Sequence, residues 1–198
     1  MTTKSVAIIT GASQGIGRAT ALRLARDFSV VVLVARNRES LENVAGEIRS
    51  IGAETIVHAL YLREPQSAKT PVEEALKGFS RIHALLNIAG AVPQIDLFEM
   101  TDAKWDDGMA LKFHGARRLT IQAWDALIAS NGSVVLMSRS AALDPKPGNA
   151  AVVVINAAIT RFGKPEEIAD LMSYLVFQAA KSMTGASVHM DGGEIKGI

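Results

Sequence analysis

A glycine-rich turn follows the first apolar run of the chain. The octapeptide Thr10–Gly17 reads TGASQGIG and lies between the apolar run Val6–Ile9 and a helix-like run, Arg18–Arg26. That order predicts a strand, a turn and a helix, which brings backbone N–H groups and a helix N-terminus up to a phosphate. Glycine suits such a turn because a side chain would block the phosphate or disfavour a positive φ. The spacing therefore favours a nucleotide-binding turn over an ordinary tight connection.

The end of the next apolar run indicates which dinucleotide would fit. The run Val30–Val34 predicts a second strand. A carboxylate about 20 residues beyond the glycines would accept hydrogen bonds from a ribose 2′-hydroxyl. Arg36 lies there instead of an acid, and a guanidinium pairs with a 2′-phosphate by charged hydrogen bonds. The sequence favours NADP(H) over NAD(H). Arg38 and Arg18 are alternatives for the same contact, and a merely solvated Arg36 is the competing interpretation.

Strand-like and helix-like runs alternate along the chain. Further strands are predicted at Thr55–Leu60, Ile82–Leu86, Val134–Met137 and Ser187–Met190. Helices are predicted at Leu41–Ser50, Ser67–Phe79, Thr101–Ser130 and Pro165–Phe177, and the apolar run Ala150–Ile159 could begin another. Such alternation predicts right-handed crossovers and a parallel sheet covered on both faces. The expected fold is α/β, a three-layer, Rossmann-like doubly wound parallel sheet in a single domain.

A second turn, Asn87–Gly90, follows the fourth predicted strand. In sheets of this kind the ligand lies beyond the carboxyl ends of the strands, so both turns should meet at that edge. We therefore expect one cofactor site built from both turns and the end of the second strand. Its predicted residues are Gly11, Ser13, Gln14, Gly15, Ile16, Gly17, Arg36, Asn87, Ala89 and Gly90.

Composition excludes several classes of function. The 198 residues suffice for one domain with a core, and a net charge of +1 argues against a nucleic-acid-binding surface. There is no cysteine, and the four histidines are scattered singly, so neither a disulfide framework nor a metal site is expected. No apolar run approaches the roughly 20 residues of a membrane-spanning helix. The N-terminus leads into the first strand without a signal-peptide pattern, and a cytoplasmic protein is expected.

Taken together, these motifs resemble the short-chain dehydrogenase/reductase family. Thr10–Gly17 matches the family's T-G-x-x-x-G-x-G motif, and Asn87–Gly90 is similar to its N-N-A-G motif with Ile88 in place of the second asparagine. The stretches Phe162–Ala169 and Met183–Gly193 resemble its C-terminal segment. The resemblance covers nearly the whole chain. It implies a Rossmann fold, a nicotinamide cofactor, a small-molecule substrate and reversible hydride transfer to a carbonyl.

The departures from the family pattern concern the chemistry itself. The family uses a tyrosine as proton donor and a lysine four residues later, whose charge lowers the pKa of the tyrosine. Val152 and Asn156 take these two positions, and no Tyr-x-x-x-Lys occurs in the chain. The family's serine falls near Ser138, although Arg139 fits the expected spacing best.

Two further positions differ. Lys112 takes the place of a family asparagine, and Tyr61 takes the place of an aspartate that contacts adenine. Stacking on Tyr61 could substitute for that hydrogen bond. Lys112 or Lys146 could serve as a replacement proton donor, and a solvated or ion-paired lysine is the competing interpretation.

A shortened join follows Ile159. The family continues with the rest of a helix, a sixth strand and a substrate-covering loop, whereas here the residues after Ile159 lead directly into the helix Pro165–Phe177. Either the chain is a truncated variant or the sequence lacks a segment of the protein. The resemblance also implies a homodimer or higher homo-oligomer, formed here through that helix and the last strand.

Three functional hypotheses follow. The first is an NADP(H)-dependent oxidoreductase with a replaced proton donor. The second is a non-catalytic relative that binds the dinucleotide as a sensor or as a partner-stabilising subunit. The third is a shortened chain with little function of its own.

Overall fold

The computed structural model describes residues 4–90, 97–137 and 164–177, together with Ala180, Met183 and Val188. Several predictions concern residues outside these ranges. They include the helix at Ala150–Ile159, the join after Ile159 and the last strand at Ser187–Met190. They also include the positions Ser138, Arg139, Lys146, Val152 and Asn156.

Five parallel strands form one sheet in the order β3-β2-β1-β4-β5. Their bounds are Val6–Thr10 for β1, Val30–Ala35 for β2, Glu54–Ala59 for β3, Ala84–Asn87 for β4 and Ser133–Leu136 for β5. The strand order reverses at β1, which pairs with β2 on one side and with β4 on the other. A crevice opens at such a reversal because the two crossover connections leave in opposite directions.

Helices cover both faces of the sheet. They are α1 (Gly15–Leu24), α2 (Arg38–Ile51), α3 (Lys69–Phe79), α4 (Asp102–Met109), α5 (Ala116–Ala129) and α6 (Pro165–Val176). One apolar core lies between the sheet and α1, α2 and α6, and a second lies between the sheet and α3 and α5. The predicted three-layer α/β architecture is confirmed for the described residues.

The central strands show why sequence predicts them well. All five residues of β1 and the stretch Val30–Val34 of β2 are buried. A parallel strand covered on both faces cannot alternate between apolar and polar residues, so it appears in the sequence as a continuous apolar run. Each of the five strands within the described residues begins and ends within two residues of its predicted bounds.

Helix ends follow local chemistry. The Asn37 side chain accepts a hydrogen bond from the N–H of Ser40 (2.9 Å) at the start of α2, and Gly52 ends that helix with φ +104°. Thr101 caps α4 by accepting a hydrogen bond from the N–H of Lys104 (3.4 Å). These contacts satisfy backbone groups that have no partner inside the helix.

Two helix predictions need correction. The first helix begins at Gly15, inside the glycine turn, rather than at Arg18. The predicted helix Thr101–Ser130 is not uniform, because a π-helical turn, Ala110–Gly115, separates α4 from α5. Periodicity cannot predict such a turn, which adds one residue without ending the helical path. None of the helices in the described ranges is long and apolar enough to cross a membrane.

Burial lowers the pKa of two histidines. The Nδ1 of His83 accepts a hydrogen bond from the N–H of Val6 (3.1 Å), and burial together with the positive charge of Arg81 lowers its pKa. His58 is buried in β3, and this burial lowers its pKa. Arg38 lowers the His58 pKa further, while the Glu74 carboxylate, 3.6 Å away, opposes the shift. Both residues lie in or beside strands, as single structural histidines would.

We predict that the free energy of unfolding decreases as the pH falls below about 6.5, the ordinary histidine pKa. In that range the unfolded chain binds protons that native His58 and His83 resist, so acid favours unfolding. Urea unfolding at a series of pH values measures the effect. The variant His83→Asn keeps an acceptor beside Val6 and should show a shallower decrease, whereas an unchanged pH profile would contradict this role.

Candidate cofactor site

A cleft of about 670 Å³ lies at the carboxyl edge of the sheet, where the strand order reverses. It is lined by the glycine turn, the end of β2, the segment after β3 and the turn after β4. Nine of the ten predicted cofactor residues lie on its wall, namely Gly11, Ser13, Gln14, Gly15, Ile16, Gly17, Arg36, Ala89 and Gly90. The fold thus brings together residues from three separate stretches of the sequence.

Asn87 is the predicted residue that does not line this cleft. It is the last residue of β4 and is buried, and its side-chain NH₂ donates a hydrogen bond to the hydroxyl of Thr120 in α5 (3.2 Å). Thr120 in turn donates to the carbonyl of Ala116 (2.8 Å). The next residue, Ile88, lines the cleft, whereas the Asn87 side chain points to α5. The Asn87 side chain therefore joins the strand to α5.

The glycines of the turn are required for different reasons. Gly11 and Gly15 have φ values of +71° and +53°, which other residues adopt only with strain. A Cβ on Gly11 would lie 3.0 Å from the Cα of Ala89, so this glycine also permits the close approach of the second turn. A Cβ on Gly17 would overlap the carbonyl oxygen of Gly11. A Cβ on Gly15 would meet open space.

Thr10 joins the two turns that form the cleft. Its buried hydroxyl accepts hydrogen bonds from the N–H groups of Ile88 (2.9 Å) and Ala89 (3.0 Å) and donates to the carbonyl of Leu86 (3.4 Å). The motif alone does not predict this role for Thr10. The sequence signal for it is a polar residue at the end of an otherwise apolar, buried strand.

The start of α1 suits an anion. Gln14 occupies the N-cap position in an extended conformation and makes no side-chain hydrogen bond there, and the first turn contains no acidic residue. The N–H groups at a helix N-terminus have no partner within the helix and carry the positive end of its dipole. An oxyanion in the cleft can accept hydrogen bonds from them.

The three candidate arginines differ in their partners. Arg18 pairs with Glu47 (2.6 Å) and Arg38 with Glu42 (3.7 Å). Arg36 lies on the cleft wall, and its guanidinium carbon is 5.6 Å from the centre of the Tyr61 ring. Within the described residues no carboxylate pairs with Arg36. Its positive charge is therefore available to the cleft.

Lys112, on the π-helical turn, lies beside the cleft. A Cβ on Gly90 would lie 3.1 Å from the Cδ and 3.2 Å from the Nζ of Lys112, so the lysine side chain lies directly over this glycine. The turn itself is pressed against the segment after β3, because a Cβ on Gly115 would lie 2.8 Å from the carbonyl oxygen of Leu62. Lys112 also borders an apolar groove of about 1130 Å³ beside the cleft. The Nζ of Lys112 thus lies beside Gly90 of the cleft wall, and the residue also lines the groove.

A family model described as short chain dehydrogenase matches residues 5–164. The chain therefore belongs to the short-chain dehydrogenase/reductase family. The resemblance seen in its motifs is confirmed.

Similar proteins include a 3-oxoacyl-(acyl-carrier-protein) reductase FabG of Staphylococcus aureus. It is 24% identical over 241 residues, which covers 96% of this chain and 98% of the relative. An uncharacterized oxidoreductase of Listeria monocytogenes is 30% identical over 186 residues, which covers 93% of this chain and 71% of the relative. The first alignment is longer than the 198 residues of this chain, so that relative contains residues without a counterpart here.

Solved structures show the same fold. L-sorbose reductase from Gluconobacter frateurii, complexed with NADPH and L-sorbose, gives a TM-score of 0.91 at 22% identity, covering 99% of this chain and 98% of that chain. A metagenomic short-chain oxidoreductase in complex with NADP gives a TM-score of 0.77 at 27% identity, covering 89% of this chain and 92% of that chain.

We predict that Gly17→Ala destabilises the protein by about 2 kcal/mol or more, because the new methyl group overlaps the Gly11 carbonyl and the neighbouring backbone must move. Chemical denaturation measures this loss.

Gly46→Ala in α2 is the matched control. A Cβ there meets nothing within 4 Å, so the free energy of unfolding should stay the same or rise by up to about 1 kcal/mol. Equal effects of the two substitutions would show that the turn is not tightly packed.

Proposed function

We propose that this chain binds NADP(H) in the cleft and acts as an oxidoreductase on a carbonyl or alcohol substrate. The observation that carries the proposal is the convergence of nine predicted residues on one cleft at the reversal of strand order. The NADPH and NADP complexes of the two structural neighbours support it. Family membership supports the reaction class.

The residues present fit a dinucleotide. The cleft has the volume of a typical small-molecule site. At Gly15 a Cβ would project into open space, so a pyrophosphate can approach the backbone there without meeting protein atoms. The uncapped N–H groups of α1 would hold the pyrophosphate, and the Ala89–Gly90 backbone would form the opposite wall.

Arg36 is the basis for preferring NADP(H). The 2′-phosphate distinguishes NADP(H) from NAD(H), and a guanidinium can bind it through two parallel hydrogen bonds. Arg18 and Arg38, the alternatives, each have a carboxylate partner. Arg36 faces the cleft and keeps its charge for the ligand.

A reduced nicotinamide ring, when bound, supplies a hydride to a carbonyl carbon. The carbonyl oxygen then needs a proton or a nearby cation, and a valine at position 152 can supply neither. We assign this role to Lys112, whose Nζ lies over Gly90 beside the cleft. An ammonium at this position can stabilise the developing negative charge and donate a proton to it. Lys146, the alternative proton donor, lies outside the described residues.

Binding without turnover is the second candidate function. The replacement of the family's tyrosine and lysine by Val152 and Asn156 favours it, since neither side chain has an ionisable proton to give, whereas the glycine turn is retained. A chain of this kind would act as a sensor or would stabilise a partner when the dinucleotide is bound.

We also propose that the chain is one domain that lacks a sixth strand and a substrate loop after about residue 159. The alignment with the Staphylococcus reductase, which is longer than this chain, supports an internal shortening. Without that loop the substrate end of the site is more open to water. Intact-mass measurement of the purified protein tests this, because a mass above 21.1 kDa would show that a segment is missing from the sequence.

We predict that Arg36→Ala weakens NADPH binding about tenfold or more and leaves NADH binding unchanged, because a charged hydrogen bond contributes about 1.5–3 kcal/mol. Isothermal titration calorimetry measures both affinities. Arg38→Ala is the control, and it should change neither affinity by more than about twofold. Equal weakening of NADPH and NADH by Arg36→Ala would contradict the assignment.

We predict that the wild-type protein oxidises NADPH in the presence of aldehydes or ketones. Lys112→Met should lower kcat about 100-fold, the usual contribution of a positioned acid, while the NADPH affinity stays within about twofold. Lys112→Arg keeps the charge and should retain part of the rate. Steady NADPH binding without oxidation of NADPH by any carbonyl would favour the binding function instead.

A further inference from the structure

An arginine side chain and a tyrosine side chain meet at the edge of the cleft. Arg36 directly follows β2, and Tyr61 lies two residues beyond the end of β3. The guanidinium carbon of Arg36 lies 5.6 Å from the centre of the Tyr61 ring, within the range of a cation–π interaction. Both side chains line the cleft.

The backbone fixes this contact. Strands β2 and β3 pair in parallel through the register Ala35 with Ala59, and the N–H of Leu60 still donates to the carbonyl of Ala35 (2.9 Å) beyond the last strand residue. This last hydrogen bond between the strands joins Ala35 and Leu60, which directly precede Arg36 and Tyr61 in the chain. Arg36 and Tyr61 therefore leave adjacent strands side by side.

The contact between Arg36 and Tyr61 offsets part of the entropy that an arginine side chain loses when it binds a ligand. A long arginine side chain loses rotamer freedom when a ligand immobilises it, and this loss lowers affinity. Within the described residues no carboxylate restrains Arg36, whereas Glu47 restrains Arg18. The ring of Tyr61 is half exposed, so one of its faces can support the guanidinium without disturbing the core.

We propose that Tyr61 is a positioning residue for cofactor specificity, which holds the Arg36 guanidinium on the cleft wall in readiness for a 2′-phosphate. The inference rests on the proposed binding of NADP(H). Tyr61 acts through Arg36, so its contribution appears only with a dinucleotide that carries the 2′-phosphate. A ring that instead stacked on the adenine would stabilise NADPH and NADH equally.

Calorimetric titration of NADPH and of NADH tests the proposal with the full chain. Tyr61→Leu removes the aromatic face and should weaken NADPH binding about two- to fivefold, with NADH unchanged. Tyr61→Phe keeps the face and should bind NADPH as the wild type does. Tyr174→Leu, in the exposed part of α6, is the matched control and should change neither affinity.

A double-mutant cycle tests whether Tyr61 affects NADPH affinity only through Arg36. In an Arg36→Ala background, Tyr61→Leu should have no further effect on NADPH binding. The inference would be overturned if Tyr61→Leu still weakened NADPH binding in that background. It would also be overturned if Tyr61→Leu alone weakened NADPH and NADH binding equally, or left NADPH binding at the wild-type level. Each of these results would leave the proposed binding function in place. If the folded wild-type protein binds neither dinucleotide, the proposed function fails and the inference fails with it.

Discussion

The close approach of two backbone turns at the reversal of strand order is the constraint on which the site depends. The hydroxyl of Thr10 binds the N–H groups of Ile88 and Ala89, and Gly11 leaves room for Ala89 to come near. Gly17 lets α1 begin directly over the Gly11 carbonyl. The Thr10 hydroxyl is buried and both hydrogen bonds are 3.0 Å or shorter, so they fix the wall of the cleft before any ligand arrives. A phosphate bound as proposed would meet N–H groups that are already oriented.

The two ends of the site differ in how far they keep the family pattern. The dinucleotide end retains the glycine turn, and Arg36 beside Tyr61 gives it a cationic wall. At the proposed catalytic end the sequence offers no Tyr-x-x-x-Lys pair, and Lys112 approaches Gly90 from a π-helical turn. Turns of π-helix are rare in proteins, and those that do occur are often found at functional sites. The proposed chemistry therefore relies on a single cation where the family uses a tyrosine and a lysine.

Much of the fold could be predicted from sequence because its strongest signals are local. The buried strand Val30–Val34 is a continuous apolar run, and Gly52 ends its helix with the positive φ that glycine favours. The glycine turn could be predicted for the same reason, since Gly11, Gly15 and Gly17 lie within one stretch of eight residues. The direction of the Asn87 side chain, the π-helical turn and the hydrogen bonds of Thr10 depend on elements far apart in the chain. Local patterns carry no information on such contacts.

The central claim is that the turn between β1 and α1 binds a pyrophosphate. A crystal structure of the protein grown with NADPH tests it most directly. We expect electron density for the pyrophosphate within hydrogen-bond distance of the N–H groups at the start of α1, with the 2′-phosphate beside Arg36. A dinucleotide bound at another surface, or a well-ordered turn with no density at saturating NADPH, would contradict the claim.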